Sequence, residues 1–174
     1  LFDSLTRIPE SHAPNGRNGK LRVEIYAEVP KKVNGVIFAM GGYAGGVSLY
    51  ALNGELFYEY SALLLKRYKI KVGKLPPGKV DIAYEMRTPL ERAAPAELTF
   101  WINGEEIASG TVGRTVPLTF TASETFDVGR DTSSPVADDY FDMAPFAFEG
   151  NLERLYFKNL LDERPAFKRS PDDD

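Results

Sequence analysis

Residues 98–110 read LTFWINGEEIASG. Leu98, Phe100 and Ile102 alternate with Thr99 and Trp101, the two-residue period of a strand with one buried face. Asn103-Gly104 then separates this run from EEIASG. An Asn-Gly pair adopts positive φ at both positions with little strain, so it closes a type I′ hairpin whose twist matches its strands. The same device recurs at Asn53-Gly54, between SLYAL and ELFYEY. Two such hairpins predict antiparallel pairing.

The period continues outward from these turns. Leu21, Val23, Ile25, Ala27 and Val29 alternate with Arg22, Glu24, Tyr26 and Glu28. Tyr68, Ile70 and Val72 alternate with Lys69 and Lys71, and Val80, Ile82, Tyr84 and Met86 with Asp81, Ala83 and Glu85. Gly35–Met40, Thr125–Val128 and Leu152–Lys158 bring the total to about ten short strands. Residues 61–67, SALLLKR, suffice for one helical turn, and no segment shows a longer helical stripe. Strands without intervening helices predict an all-β antiparallel sandwich of two sheets. Residues 1–19, rich in turn signals at Pro9, Pro14, Asn15-Gly16 and Asn18-Gly19, read as an arm. The sandwich is expected over 20–161. Residues 162–174, charged and ending in three Asp, read as a flexible tail.

Composition bounds the chemistry. The 174 residues are 43% hydrophobic and 26% charged, enough for one core. Absence of cysteine excludes disulfides, thiolate metal sites and cysteine nucleophiles. A net charge of −4 without a basic face gives no nucleic-acid footprint. No apolar run approaches the ~20 residues of a membrane span. A first residue of Leu rather than Met suggests a fragment or mature form of something longer, and a periplasmic or secreted bacterial location is the expectation.

The search for a reacting centre gives little. His12, the single histidine, sits in the arm, and no Gly-x-Ser-x-Gly elbow occurs. Glu55 and Glu59 share a strand face but lack the further acid that a sandwich glycosidase would use. Asp127, Asp131, Asp138, Asp139 and Asp142 lie close in sequence, with Arg130 the opposing charge among them. Loops of this kind can supply calcium with oxygen ligands, so calcium is an optional ligand here and no cofactor is required. Gly41-Gly42-Tyr43-Ala44-Gly45-Gly46 reads as a tight inter-strand connection. Tyr43, Tyr58, Tyr60, Trp101 and Tyr140 are the aromatics considered for stacking on sugars. Trp101 is out of phase with Leu98, Phe100 and Ile102 and therefore faces solvent or a partner.

The runs GVIFAMGGYAGGVSLYALNGELFYEY, LKRYKI, LPPGKVDIAYE and RTVPLTFTASETFDVGRDTSSPVADDY resemble the C-terminal region of large bacterial arylsulfatases of the alkaline-phosphatase-like superfamily. The resemblance covers most of Leu21 to Leu160. It implies a concanavalin A-like or laminin G-like jelly-roll sandwich that follows a sulfatase catalytic domain. It does not bring the chemistry: Ser133-Ser134-Pro135-Val136-Ala137 has the spacing of the formylglycine motif without its Arg. Relatives carry Gly-Gly-Arg-Phe-Gly-Gly where this chain has residues 41–46, and a glycine-rich insert where it has residues 88–95. The expected role is a non-catalytic accessory domain docked on an upstream sulfatase domain. The alternative is a lectin-like module for a glycan or sulfated glycan. Tyr43, Trp101, Arg114, Arg130 and Tyr140 are the candidate carbohydrate or domain contacts.

Overall fold

The computed structural model describes residues 5–14, 19–89, 91, 93–117, 119–120, 125–132 and 134–160. The tail read over 162–174, parts of the arm (1–4 and 15–18) and Ser133 lie outside the described residues. Eleven strands form among them: β1 (Ile8–Pro9), β2 (Gly19–Val29), β3 (Gly35–Gly42), β4 (Gly45–Leu52), β5 (Glu55–Ala62), β6 (Lys66–Lys74), β7 (Gly78–Thr88), β8 (Ala96–Ile102), β9 (Glu105–Val112), β10 (Thr125–Val128) and β11 (Asn151–Leu160). They make two antiparallel sheets, ordered β1-β10-β3-β4-β5-β6 and β11-β2-β7-β8-β9. Among the described residues, helix is confined to short 3₁₀ turns at Glu10–His12 and Asp138–Met143. No helix among the described residues is long and apolar enough to cross a membrane.

The apolar half of each alternating strand meets between the sheets. Val23, Ile25, Ile82, Leu98 and Phe100 from one sheet pack against Phe38, Leu49, Leu56 and Tyr58 from the other, all nearly inaccessible to water. Rings fill the centre: Tyr58 lies 5.5 Å from Tyr84 and 5.6 Å from Phe100, and Phe38 lies 5.4 Å from Phe157. Such offset and edge-on contacts add to the burial of large apolar areas. Within the stretch read as an arm, Ile8–Pro9 pairs with β10 and the Glu10 carboxylate accepts the Phe120 N–H at 2.9 Å.

Both Asn-Gly turns form as expected, with φ of 53° and 80° at Asn53 and Gly54 and of 51° and 80° at Asn103 and Gly104. The SALLLKR stretch differs from expectation. It is the β5–β6 hairpin, not a helical turn, because cross-strand bonds to both flanks outcompete one isolated turn. Leu63 and Leu64 occupy positive φ, 52° and 61°, where the β4–β5 and β8–β9 hairpins place Asn and Gly. Left-handed backbone costs an L-residue with a full side chain roughly 1–2 kcal/mol. Replacing Leu63-Leu64 by Asn-Gly should therefore raise stability by about 1–2 kcal/mol, read as a higher urea midpoint at unchanged slope. No gain would mean that Leu63 packing beside Gly45 outweighs the turn strain.

The β10–β11 connection forms a flap over the outer face of the six-stranded sheet. Val136, Ala137 and Tyr140 make a second small core there with Val36, Ala39 and Tyr50. Gly35, at φ 108°, lets the flap return close to β3; a Cβ at this position would stand 2.2 Å from the Ala147 carbonyl oxygen.

Candidate functional site

The polar half of the alternation on β2, β7 and β8 is the outer face of the five-stranded sheet, and strand register sets its side chains in rows. Lys20 stands opposite Arg87, which stands opposite Glu97. The next row holds Lys158, Arg22, Glu85 and Thr99. The third holds Tyr156, Glu24, Ala83 and Trp101. The fourth holds Arg154, Tyr26 and Asp81. Ala83 is the smallest of these side chains. Its row sinks into a groove of about 390 Å³ walled by Arg22, Glu24, Tyr26, Asp81 and Trp101.

Charge is organised around the groove. Lys20 Nζ lies 2.8 Å and Arg22 Nη1 3.0 Å from the Glu85 carboxylate. Arg22 Nε donates to Glu24 Oε1 at 2.8 Å, and Lys158 Nζ donates to the other Glu24 oxygen at 2.5 Å. The Arg22 guanidinium also sits 5.4 Å from the Trp101 ring centre, a cation–π distance that orients the indole. Lys158 and Arg22 hold the Glu24 carboxyl below its ordinary 4.5. For Glu85, burial raises the carboxyl's value, but bonds to Lys20 and Arg22 outweigh it and leave a net depression. The stability these two glutamates confer is complete above about 4.5 and is lost as pH falls through their lowered folded values.

The opposite sheet carries the acidic block. Asp127 is buried and accepts the Arg7 N–H together with the Thr132 N–H and hydroxyl. Asp131 is buried and accepts the Val136 N–H at 2.9 Å and the Tyr140 hydroxyl at 2.8 Å. A phenol has one proton, so Ser48 Oγ, 2.9 Å from the Tyr140 hydroxyl, donates to it in turn. Burial, and then the Asp131 charge, push the Tyr140 hydroxyl far above the ordinary tyrosine range. Asp139 bonds Tyr50 and Lys69, Asp138 lies 3.8 Å from Arg67, and Asp142 is exposed. Among the described residues, no three acidic or histidine side chains group closely enough to hold a metal ion.

Arg67 ties this region together. Its guanidinium bonds the buried Glu59 carboxylate at 3.1 Å, the Val136 carbonyl and the Tyr43 carbonyl, and lies 4.2 Å from the Tyr43 ring centre. Tyr43 in turn meets Phe141 edge-on at 5.2 Å. Beside them Leu63, Leu64 and Leu65 are 43%, 64% and 72% exposed, forming an apolar end to the sandwich.

The candidate residues thus separate. Trp101 faces outward on the five-stranded sheet. Tyr43 lies at the apolar end, and Arg114 is exposed in the loop after β9. Arg130 is half-buried after β10. Tyr140 is fully buried and cannot touch a glycan, as are Tyr58 and, nearly so, Tyr60. The reason is packing: the flap presses Tyr140 onto the outer face of the six-stranded sheet, and the inward phase of β5 claims the other two. Arg22, Glu24, Tyr26 and Arg87 were not singled out by sequence reasoning. Their signal was the outward phase of β2 and β7; what brings them to Trp101 is the order of strands.

No protein-family model matches this chain, and no curated protein matches it in sequence. Solved structures do. The CBM40 of the Ruminococcus gnavus IT-sialidase, bound to α2,6-sialyllactose, superposes with a TM-score of 0.59 at 15% identity, over 91% of this chain and 89% of that one. Mouse laminin α1 domains LG4-5 match with a TM-score of 0.58 at 14% identity, over 91% of this chain and 40% of that chain. The LG1-3 region of the laminin α2 chain matches with a TM-score of 0.53 at 14% identity, over 89% and 31%. At this identity the likeness defines the fold: a jelly-roll β-sandwich of the laminin G, concanavalin A-like kind.

Proposed function

We propose that this chain is a non-catalytic glycan-binding module whose site is the outer face of the five-stranded sheet. The observation that carries the reading is the groove over Ala83, bordered by the Trp101 indole and a ring of ion-paired side chains. An apolar ring beside fixed hydrogen-bonding groups suits a sugar, which offers an apolar face and a polar rim. The structural likeness to a CBM40 solved with sialyllactose supports the reading. Hydrolysis is disfavoured by the electrostatics. A glycosidase needs one carboxyl raised to act as acid, whereas Glu24 and Glu85 are both held ionised by their cations.

The test is binding to an immobilised glycan panel. Wild type should retain at least one oligosaccharide class, and Trp101→Ala should weaken it about tenfold or more, equivalent to roughly 1.4 kcal/mol. Retention of nothing by wild type, or indifference to the Trp101 change, would sink the proposal.

A second reading has its own observation. The apolar end formed by Tyr43, Leu63, Leu64, Leu65 and Phe141 lies within the stretch that resembles arylsulfatases, and exposed apolar patches mark docking surfaces. It supports an accessory domain seated on a sulfatase catalytic domain. Leu64→Asp with Leu65→Asp should then abolish association with such a domain while leaving glycan binding intact.

A further inference from the structure

We infer that the glycan taken by the outer face is acidic, with a sulfate or carboxylate substituent seated between Lys20, Arg22 and Arg87 while its ring stacks on Trp101. This rests on the glycan-binding reading and adds the charge of the ligand.

The register carries the argument. Lys20 and Arg87 are direct cross-strand partners on one face. Like charges directly opposite destabilise a sheet pair, so a pair of cations here works against the fold unless an anion joins it. Neighbouring carboxylates bond only part of that charge: Glu97 and Glu106 line a depression with Arg87 and Trp101 but form no ion pair with these cations among the described residues. Lys20, Arg22 and Lys158 share Glu24 and Glu85, three cations on two acids. Arg87 forms no ion pair among the described residues, although Glu97 stands across from it on β8. The four cations therefore exceed their bonded acids by two, in a chain whose net charge is −4. A depression of about 200 Å³ lies against Gly19, Lys20, Arg87 and Thr88, open to receive a group.

The spacing suits an oligosaccharide. Trp101 is aligned with Ala83, two residues along β7 from Glu85 and four from Arg87, and Arg22 stands over the indole. Side chains two residues apart on one strand are separated by roughly 6.8 Å, and neighbouring strands by about 4.8 Å. A ring stacked on Trp101 thus brings a substituent on its edge to Arg22, and a substituent on the next residue of an oligosaccharide to the Lys20–Arg87 pair. Arginine and lysine bind sulfate and carboxylate oxygens with charge-assisted hydrogen bonds, the arginine fork in bidentate fashion.

Calorimetry with matched ligands decides the matter. Sulfated carrageenan oligosaccharides, their chemically desulfated products and oligogalacturonates distinguish sulfate, neutral and carboxylate ligands. Wild type should bind at least one charged series tenfold or more tighter than the neutral one, with affinity falling as salt rises. Arg87→Ala should erase most of that preference without changing neutral binding, Lys20→Ala should erase it as well, and Lys74→Ala, on the other sheet, should change neither. Equal affinity for charged and neutral sugars, both lost in Trp101→Ala, would overturn the acidic ligand and leave the glycan site standing. Charged ligands bound as tightly by the Arg87 and Trp101 variants as by wild type would place binding elsewhere and overturn both. Binding of no series overturns both as well.

Discussion

Replacing Arg67 by Met is expected to destabilise the domain by about 3–5 kcal/mol at neutral pH, the usual penalty for stripping one partner from a buried ion pair. For a chain of this size that lowers Tm by roughly 6–20 °C. The loss has three parts. Glu59, 3% exposed, keeps only the Tyr50 hydroxyl at 3.3 Å, whose single proton it shares with the closer Asp139 at 2.9 Å, and the more distant charge of Lys69. The Val136 carbonyl loses a donor beneath the flap, and the Tyr43 carbonyl loses one of two, Ser61 being the other. The effect has a pH signature. Burial raises the Glu59 carboxyl above its ordinary 4.5 even with Arg67 present, and removing the cation raises it further. The folded variant then binds a proton that the unfolded chain releases, so its stability falls as pH rises from about 4.5 through the raised folded value. Urea midpoints of wild type and variant should converge on acidification. A Glu59→Gln, Arg67→Met double variant should recover most of the neutral-pH loss. A deficit independent of pH would show that the carbonyl contacts, not the ion pair, hold the flap.

Asp131→Ala is the second large change. It removes the acceptor of the Val136 N–H and of the Tyr140 hydroxyl, both buried. Each orphaned donor costs about 1–3 kcal/mol, so a loss of roughly 2–6 kcal/mol is expected, with the flap loosening first. The same variant decides what the acidic block is for. If Asp127 and Asp131 serve the fold, millimolar calcium or EDTA leaves the wild-type Tm unmoved and does nothing for the variant. Calcium bound only by the folded state must stabilise it by mass action. A calcium-dependent rise in wild-type Tm that Asp131→Ala abolishes would make these carboxylates ligands instead.

The two changes also account for the aspartates of the β10–β11 connection. Within RTVPLTFTASETFDVGRDTSSPVADDY, Asp127 bonds Thr132, Asp131 bonds Val136 and Tyr140, and Tyr140 bonds Ser48 of the sheet beneath. Their spacing answers to the closure of the flap. Read as a string, the run of five aspartates has the composition of a calcium loop. Folded, two of the five are buried acceptors, two are bonded to cations or Tyr50, and Asp142 faces solvent.

Local rules decided much of this protein. Alternation over residues 21–29, 80–86 and 98–102, with Asn-Gly at 53–54 and 103–104, determined strands, hairpins and the all-β class, because side-chain period and turn φ are properties of a few adjacent residues. It also determined that Trp101 turns outward, since a strand cannot place residues 100 and 101 on one face. Tertiary structure alone decided who meets Trp101. The neighbours come from β2 and β7, 80 and about 20 positions away in sequence, and pairing between distant strands is fixed by the burial of whole faces rather than by any local signal. The same limit hid the fate of Glu59 and Tyr140: Glu59 lies on the outward phase of β5, but a flap from the far end of the chain brings Tyr140 down and converts that outer face into a second core.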